Sequence, residues 1–121
     1  MINQQIKNLM GMTMLIMVGC TTTIPHQGCY VEDPRLRGRY TGECRGSQAY
    51  GWGKSIGQDT YEGEFVKGIV HGKGTYIWSD GEKYIGEFRN GQTHGRGVMI
   101  RKDGSRKEGI WENNRLVKSS N

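Results

Sequence analysis

The side chains that could carry chemistry recur at a fixed interval. His71 and His94 are 23 residues apart, and Glu64 and Glu87 share that spacing. Histidine pairs suggest a metal site, but equivalent positions of an antiparallel repeat lie two strands apart. Strand spacing then separates them by roughly 9–10 Å, which is long for two imidazoles on one ion. We therefore expect both histidines to stabilise turns, and we predict no metal site.

Glu43 extends the carboxylate series to three members, one in each repeat. Paired carboxylates could hydrolyse a glycosidic bond. A carboxylate that occurs once per repeat is more simply structural, and we expect each glutamate to pair with a nearby Lys or Arg. There is no nucleophile-elbow serine, no P-loop and no dinucleotide-binding glycine motif. We predict that the protein is not an enzyme and needs no cofactor.

The first 19 residues differ in composition from the rest of the chain. Lys7 precedes an apolar run from Leu9 to Val18, about ten residues, and Gly19 follows it. That run is too short to span a bilayer comfortably. A positive start, a short apolar core and a small residue are typical of a signal peptide. Residues 1–19 are therefore left out of the predicted fold.

The segment Ile16-Met17-Val18-Gly19-Cys20 resembles the lipobox of bacterial lipoproteins. The resemblance implies cleavage before Cys20 and its modification with diacylglycerol and a further acyl chain such as palmitate. It also implies a membrane-anchored protein of the bacterial cell envelope. Thr21 follows, and because Asp is absent there, the resemblance implies the outer membrane, facing the periplasm, if the cell has two membranes. A plain secretory signal with an incidental cysteine, or a retained membrane anchor, are the alternatives.

Two further cysteines, Cys29 and Cys44, are predicted to form a disulfide in an exported protein. They are 15 residues apart, and closing such a loop contributes about 3 kcal/mol in the chain-entropy model. Two buried free thiols are the alternative. Residues 20–37 have no steady period and are interpreted as a tether from the anchor.

Composition favours strands over helices in the remainder. The chain of 121 residues has 20 glycines, two prolines and a net charge of +5. It has a single alanine, Ala49, and many Tyr and Trp, which disfavours helix and favours strand. Few prolines exclude collagen and proline-rich disorder. The mild positive charge permits contact with anionic surfaces without requiring it.

The chain becomes periodic from Tyr40, and this periodicity decides the predicted fold. Residues 61–83 and 84–106 are two units of 23 residues with 11 identities in register, namely Tyr, Gly, Glu, Phe, Gly, His, Gly, Gly, Ile, Asp and Gly. Residues 40–60 form a looser unit in which Cys44 takes the phenylalanine position. A partial unit at 107–114 fades into a tail at 115–121.

The pattern Y-x-G-E-F-x-x-G-x-x-H-G-x-G resembles the MORN repeat. The resemblance implies an all-β fold over residues 38–114, an elongated antiparallel meander of about 3.5 β-hairpin units. It also implies a scaffold that contacts proteins or membranes. We expect a lipid-anchored envelope scaffold with an unidentified protein partner. A homodimer formed by pairing of sheet edges is a further possibility, and a nucleic-acid partner is not expected.

Alternation along the strands predicts which side chains form the core. Tyr61 and Phe65 share a face with Gly63 between them. A second strand is predicted from Gly74 to Trp78, after a link from Val66 to Gly72. Asp80-Gly81 is predicted to be a turn in which both residues have positive φ.

Two surfaces are candidate binding sites. Arg101, Lys102, Arg106 and Lys107 form the densest basic run, which could contact anionic lipid or cell-wall polymer. The alternative is an ordinary charged hairpin. Trp52, Trp78 and Tyr76 are the aromatic residues predicted to lie off the core face, where they would form a peptide or glycan platform. The alternative for each is burial in the core.

Overall fold

Within residues 28–120, eight strands form one antiparallel sheet in which every strand neighbours the next in sequence. The computed structural model describes residues 28–120. Within that range no helix is long and apolar enough to cross a membrane. The strands are β1 (Arg39–Arg45), β2 (Gln48–Ile56), β3 (Thr60–Val66), β4 (Ile69–Ile77), β5 (Lys83–Arg89), β6 (Gln92–Ile100), β7 (Arg106–Glu112) and β8 (Arg115–Ser119). The predicted all-β meander is confirmed.

The hairpin within each unit closes on a two-residue turn. Both turn residues have positive φ, for example Lys67 at 52° and Gly68 at 80°, then Asn90 at 50° and Gly91 at 83°. This is the type I′ geometry, whose twist matches that of the flanking strands. The sequence prediction placed a longer link there, from Val66 to Gly72. That link was wrong, because β4 begins directly after the turn.

The links between units use a different geometry. Gly81 has φ of 97° while Asp80 has no positive φ, so the expectation of positive φ at both residues was wrong. The Asp80 carboxylate instead accepts a hydrogen bond from the Glu82 amide at 2.9 Å. Asp103 does the same for Ser105 at 2.8 Å. Aspartate shapes these loops through its side chain, and glycine supplies the left-handed backbone.

One face of the sheet carries a ladder of aromatic rings. Tyr61 lies edge-to-face against Phe65 at 5.1 Å and against Phe88 at 5.3 Å. Tyr84 continues the series against Phe88 and then Trp111, at 5.1 and 5.4 Å. Edge-to-face pairs add about 0.5–1.5 kcal/mol each beyond area burial. The shared face predicted for Tyr61 and Phe65 is confirmed, and both are almost fully buried.

A row of glycines runs across the sheet beneath these rings. Neighbouring strands place glycine opposite glycine in every pair from β1 to β7. The row comprises Gly42, Gly53, Gly63, Gly74, Gly86, Gly97 and Gly109. Because these positions lack Cβ, the tyrosine rings can lie flat against the backbone. We call this row the glycine row.

Both ends of the array differ from the sequence prediction. Residues 28–37, assigned to the tether, pack onto the sheet, with Val31 4% and Leu36 0% exposed. Residues 115–119, assigned to the tail, form β8, which pairs with β7. The fading unit is therefore a complete hairpin, and the array has four hairpins. Residues 28–37 lack the repeat pattern and bond to residues distant in sequence, as the Glu32 amide does to the Gly68 carbonyl oxygen. β8 also lacks the pattern, but it pairs with the strand directly before it.

Candidate functional site

The tyrosine of each unit is tied to the glutamate three residues later. The Tyr61 hydroxyl donates to the Glu64 carbonyl oxygen at 3.0 Å, and Tyr84 donates to that of Glu87 at 3.1 Å. Tyr40 repeats the contact at 2.6 Å. Burial raises the pKa of Tyr84 to about 12 and raises that of Tyr61 well above its usual range. These tyrosines are therefore neutral, structural hydrogen-bond donors.

The three glutamates bind backbone amides. Their Oε2 atoms accept hydrogen bonds from the amides of Trp52 (Glu43, 3.1 Å), Lys73 (Glu64, 2.7 Å) and Arg96 (Glu87, 2.9 Å). The expected pairing with Lys or Arg side chains was wrong, because each carboxylate fills a gap at a β-bulge where the ladder is interrupted. Each carboxylate has the structural role that was expected, as an acceptor within the sheet.

A left-handed glycine faces each of these carboxylates. Gly72 has φ of 67°, and a Cβ built there would lie 2.6 Å from Oε2 of Glu64. Gly51 and Gly95 repeat the arrangement with Glu43 and Glu87. The glycine after each repeated histidine, and Gly51 in the looser unit, therefore leaves room for the glutamate.

The two histidines lie inside strands and are half-buried. Nδ1 of His71 accepts a hydrogen bond from the Asn90 amide at 3.4 Å, at the turn of the next hairpin. This supports the turn-stabilising role expected for His71. No group of three or more His, Cys, Asp or Glu side chains within residues 28–120 is arranged to hold a metal ion.

A buried carboxylate fixes the N-terminal segment to the array, which the sequence reading missed. Asp59 is 1% exposed and binds the Arg35 guanidinium through two hydrogen bonds. It also accepts from the Tyr76 hydroxyl at 2.9 Å and the Ser79 amide at 2.8 Å. The same hydroxyl lies 3.1 Å from Oδ2 of Asp33. A lone Asp before a strand gives no signal of such a network.

The charge state of this cluster follows from its contacts. Burial alone would raise the pKa of Asp59, but the hydrogen bonds from Arg35, Tyr76 and the Ser79 amide outweigh it. The pKa of Asp59 therefore lies below its ordinary value. Burial, followed by the hydrogen bond to Asp59, raises the pKa of Tyr76 far above its usual range. Asp59 is thus an anion held by four hydrogen bonds from three residues.

The predicted disulfide lies within the described residues, whereas the predicted lipidation site does not. Cys29 and Cys44 lie at disulfide distance, with Cα atoms 5.8 Å apart, as the predicted disulfide requires. The pair would join the N-terminal segment to β1. The signal peptide at 1–19 and the lipidation site Cys20 lie outside the described residues.

The structure does not gather the basic run on one face. Arg101, Lys102 and Lys107 border a shallow depression that also includes Glu82 and Asp103. Arg106 pairs with Ile100 at the start of β7, so it points to the face opposite Lys107. Lys102 also lies 4.0 Å from the Asp80 carboxylate. The four residues therefore do not form one uninterrupted positive patch.

Of the three aromatic residues predicted to lie off the core face, only Trp52 does so clearly. Tyr76 is buried, which is the core alternative, and its hydroxyl reaches the Asp59 cluster. Trp78 packs partly against the core, 4.7 Å from the Tyr76 ring. Trp52 is 52% exposed on the opposite side of the sheet. We call that side the open face.

The open face is both apolar and charged. Its exposed apolar side chains include Ile56, Ile77 and Ile85. In the register, Ile56 faces Arg39, Ile77 faces Lys83 and Ile100 faces Arg106. Residues 28–37 do not cover this face, because their buried side chains Val31 and Leu36 belong to the core on the other side.

Comparison with known proteins agrees with this architecture. The family model of the MORN repeat matches residues 61–83 and 84–106, which span strands β3 to β6. The chain therefore contains two MORN repeats, at the bounds expected from the sequence. MORN repeats are generally modules that contact proteins or membranes. No curated protein matches the chain.

Proposed function

We propose that this protein is a lipid-anchored scaffold of the bacterial cell envelope that presents its open face to a partner protein. The observation that carries the proposal is that the repeated polar side chains are already engaged in holding the sheet together. The tyrosines and glutamates of the repeat are hydrogen-bonded to backbone within the sheet. What remains available is a broad surface, which suits binding rather than catalysis.

Anchoring is tested by the intact mass of the protein extracted from membranes. Loss of residues 1–19 and added acyl mass on Cys20 are expected. The matched control is Cys20→Ala, which leaves the array unchanged and should release the protein from the membrane fraction. An unmodified chain that begins at Met1, or unchanged membrane association of the Cys20→Ala variant, would contradict the proposal.

The partner is tested by crosslinking in intact cells, followed by mass spectrometry. Crosslinks should map to open-face residues such as Lys54 and Lys73, both exposed. They should disappear for the Cys20→Ala variant, because that variant no longer lies in the same compartment. Crosslinks confined to β1 or β8 would instead indicate a homodimer through sheet edges. Both edges carry basic residues, Arg39 and Arg45 on β1 and Arg115 and Lys118 on β8, which weakens such pairing.

The second candidate function is binding of an anionic lipid or cell-wall polymer through Arg101, Lys102, Arg106 and Lys107. The observation that favours an anionic ligand is a row of basic residues beside isoleucines at this end of the open face, Arg39, Lys83 and Arg106. Only Arg106 of this row belongs to the basic run. Salt-dependent binding to vesicles of anionic phospholipid or to purified peptidoglycan tests it. Binding that persists when all four residues of the run are replaced by alanine would exclude this site.

A further inference from the structure

The open face carries a groove made of two adjoining depressions. Two depressions of about 470 and 230 Å³ lie side by side and share Ile85 and Arg96 in their walls. Together they extend from Trp52 on β2 to Glu108 on β7. At a strand spacing of about 4.8 Å, five spacings give a length of about 24 Å. The open-face groove therefore runs across the strands and suits a linear molecule.

Its floor is the open side of the glycine row. Gly74, Gly86, Gly97 and Gly109 all border the groove. Their strands are paired on both sides, so the backbone amides and carbonyls of the floor are engaged in the sheet. A peptide lying across these strands would therefore find no free backbone groups in the floor with which to pair. The floor therefore disfavours β-strand addition.

The walls are two rows of side chains set by the register. One wall is formed by Trp52, Lys73, Glu87 and Arg96, and the other by Glu62, Thr75, Ile85, Val98 and Glu108. Two cations and three anions nearly cancel, so the groove has no net attraction for a polyanion. The walls offer both hydrogen-bond donors and acceptors beside apolar surface.

We propose that the open-face groove binds a linear, uncharged or weakly charged glycan. A sugar ring presents a C–H face that packs on an indole, and Trp52 supplies an exposed indole at one end. Sugar hydroxyls donate and accept hydrogen bonds equally well, which matches walls that hold both carboxylates and cationic groups. At about 5 Å per sugar, a groove about 24 Å long holds four to five residues of a β-linked chain. The proposal does not depend on lipid anchoring.

The test uses the purified full chain and two soluble probes, chitotetraose and cellotetraose. Tryptophan fluorescence and calorimetry should report saturable binding of at least one of them. Trp52→Ala should weaken that binding tenfold or more, and Trp52→Phe should retain most of it because a phenyl ring can still stack. The control is Ile56→Ala, an exposed open-face residue outside the groove, which should bind like the parent. Urea midpoints confirm that the variants fold.

Three results would overturn the proposal. One is the lack of saturable binding of both tetrasaccharides at millimolar concentration. Another is binding that Trp52→Ala leaves unchanged, because the sugar would then lie elsewhere. The last is binding of a polyanion such as heparin, but of neither neutral tetrasaccharide, which would favour the basic run. If the glycan test fails, the proposed protein partner is still tested independently by crosslinking.

Discussion

The ring of Tyr61 lies directly against the backbone of Gly74 on the neighbouring strand. A Cβ built on Gly74 would lie 2.5 Å from Cζ of Tyr61 and closer still to its hydroxyl. Tyr84 and Gly97 repeat the contact one unit later. The tyrosine and the second glycine of G-x-G in the repeat are therefore two halves of one packing contact.

Gly74→Ala should destabilise the fold by about 3 kcal/mol, because the ring cannot move away from a packed ladder. Gly74 has no positive φ, so the cost reports steric overlap and not backbone strain. The free energy of unfolding in urea measures it. Gly28→Ala is the control, since nothing lies within 4 Å of its Cβ position. Equal stability of the two variants would show that the ring is free to shift.

Glu64→Ala should lower the free energy of unfolding by about 1–2 kcal/mol, because the Lys73 amide loses the carboxylate that accepts its hydrogen bond. Glu64→Gln should retain most of the stability, since the amide oxygen can still accept. Glu62→Ala, an exposed glutamate two residues away, should change little. Hydrogen exchange at the Lys73 amide gives a local readout and should accelerate only in Glu64→Ala. Equal effects of the two alanine variants would argue against the hydrogen bond.

Thr93→Val should stabilise the protein by about 1 kcal/mol. The Thr93 side chain is buried, and its Oγ1 has no hydrogen-bond partner, which costs free energy. Val70 occupies the equivalent position one unit earlier, so the backbone accommodates valine. Thr41→Val, at an exposed position on β1, serves as control. A lower urea midpoint for Thr93→Val would mean that the hydroxyl has a partner in solution.

Asp59→Asn should lower stability at pH 7 by about 2 kcal/mol, because hydrogen bonds from charged Arg35 are weakened. The folded-state pKa of Asp59 lies below its ordinary value of 3.8. Its contribution is therefore complete above that pH and is lost as the pH falls through the lower folded value. The difference between parent and variant should shrink below about pH 4. Acid unfolding curves measure the difference, with Glu108→Gln, a substitution at an exposed carboxylate, as the matched control.

Reduction of the protein should release two thiols and lower its stability by about 3 kcal/mol, for a loop of 15 residues. Alkylation before and after reduction counts the thiols. The Cys29→Ser/Cys44→Ser variant should unfold like the reduced parent and be insensitive to reductant. Equal alkylation before and after reduction would show that the pair stays reduced.

The core was predictable because its signal is local. Tyr61, Gly63 and Phe65 alternate within one strand, and a period of two places them on one face whatever the strand pairs with. The partner of Glu64 was not predictable, because it depends on a bulge that brings the Lys73 amide to the carboxylate. The packing of Val31 and Leu36 was missed for a similar reason, since residues 28–37 carry no period of their own.

Sequence alone was enough to establish the repeat, the strand type and the shared face of Tyr61 and Phe65, because these follow from spacing along the chain. Tertiary structure decided the glycine row, the glutamate–amide contacts, the Asp59 cluster and the open-face groove. Each of these joins residues from different strands or segments, and its geometry depends on register and bulges. Lipidation of Cys20 remains a prediction from sequence, and the groove beside Trp52 is a site that only the assembled sheet creates.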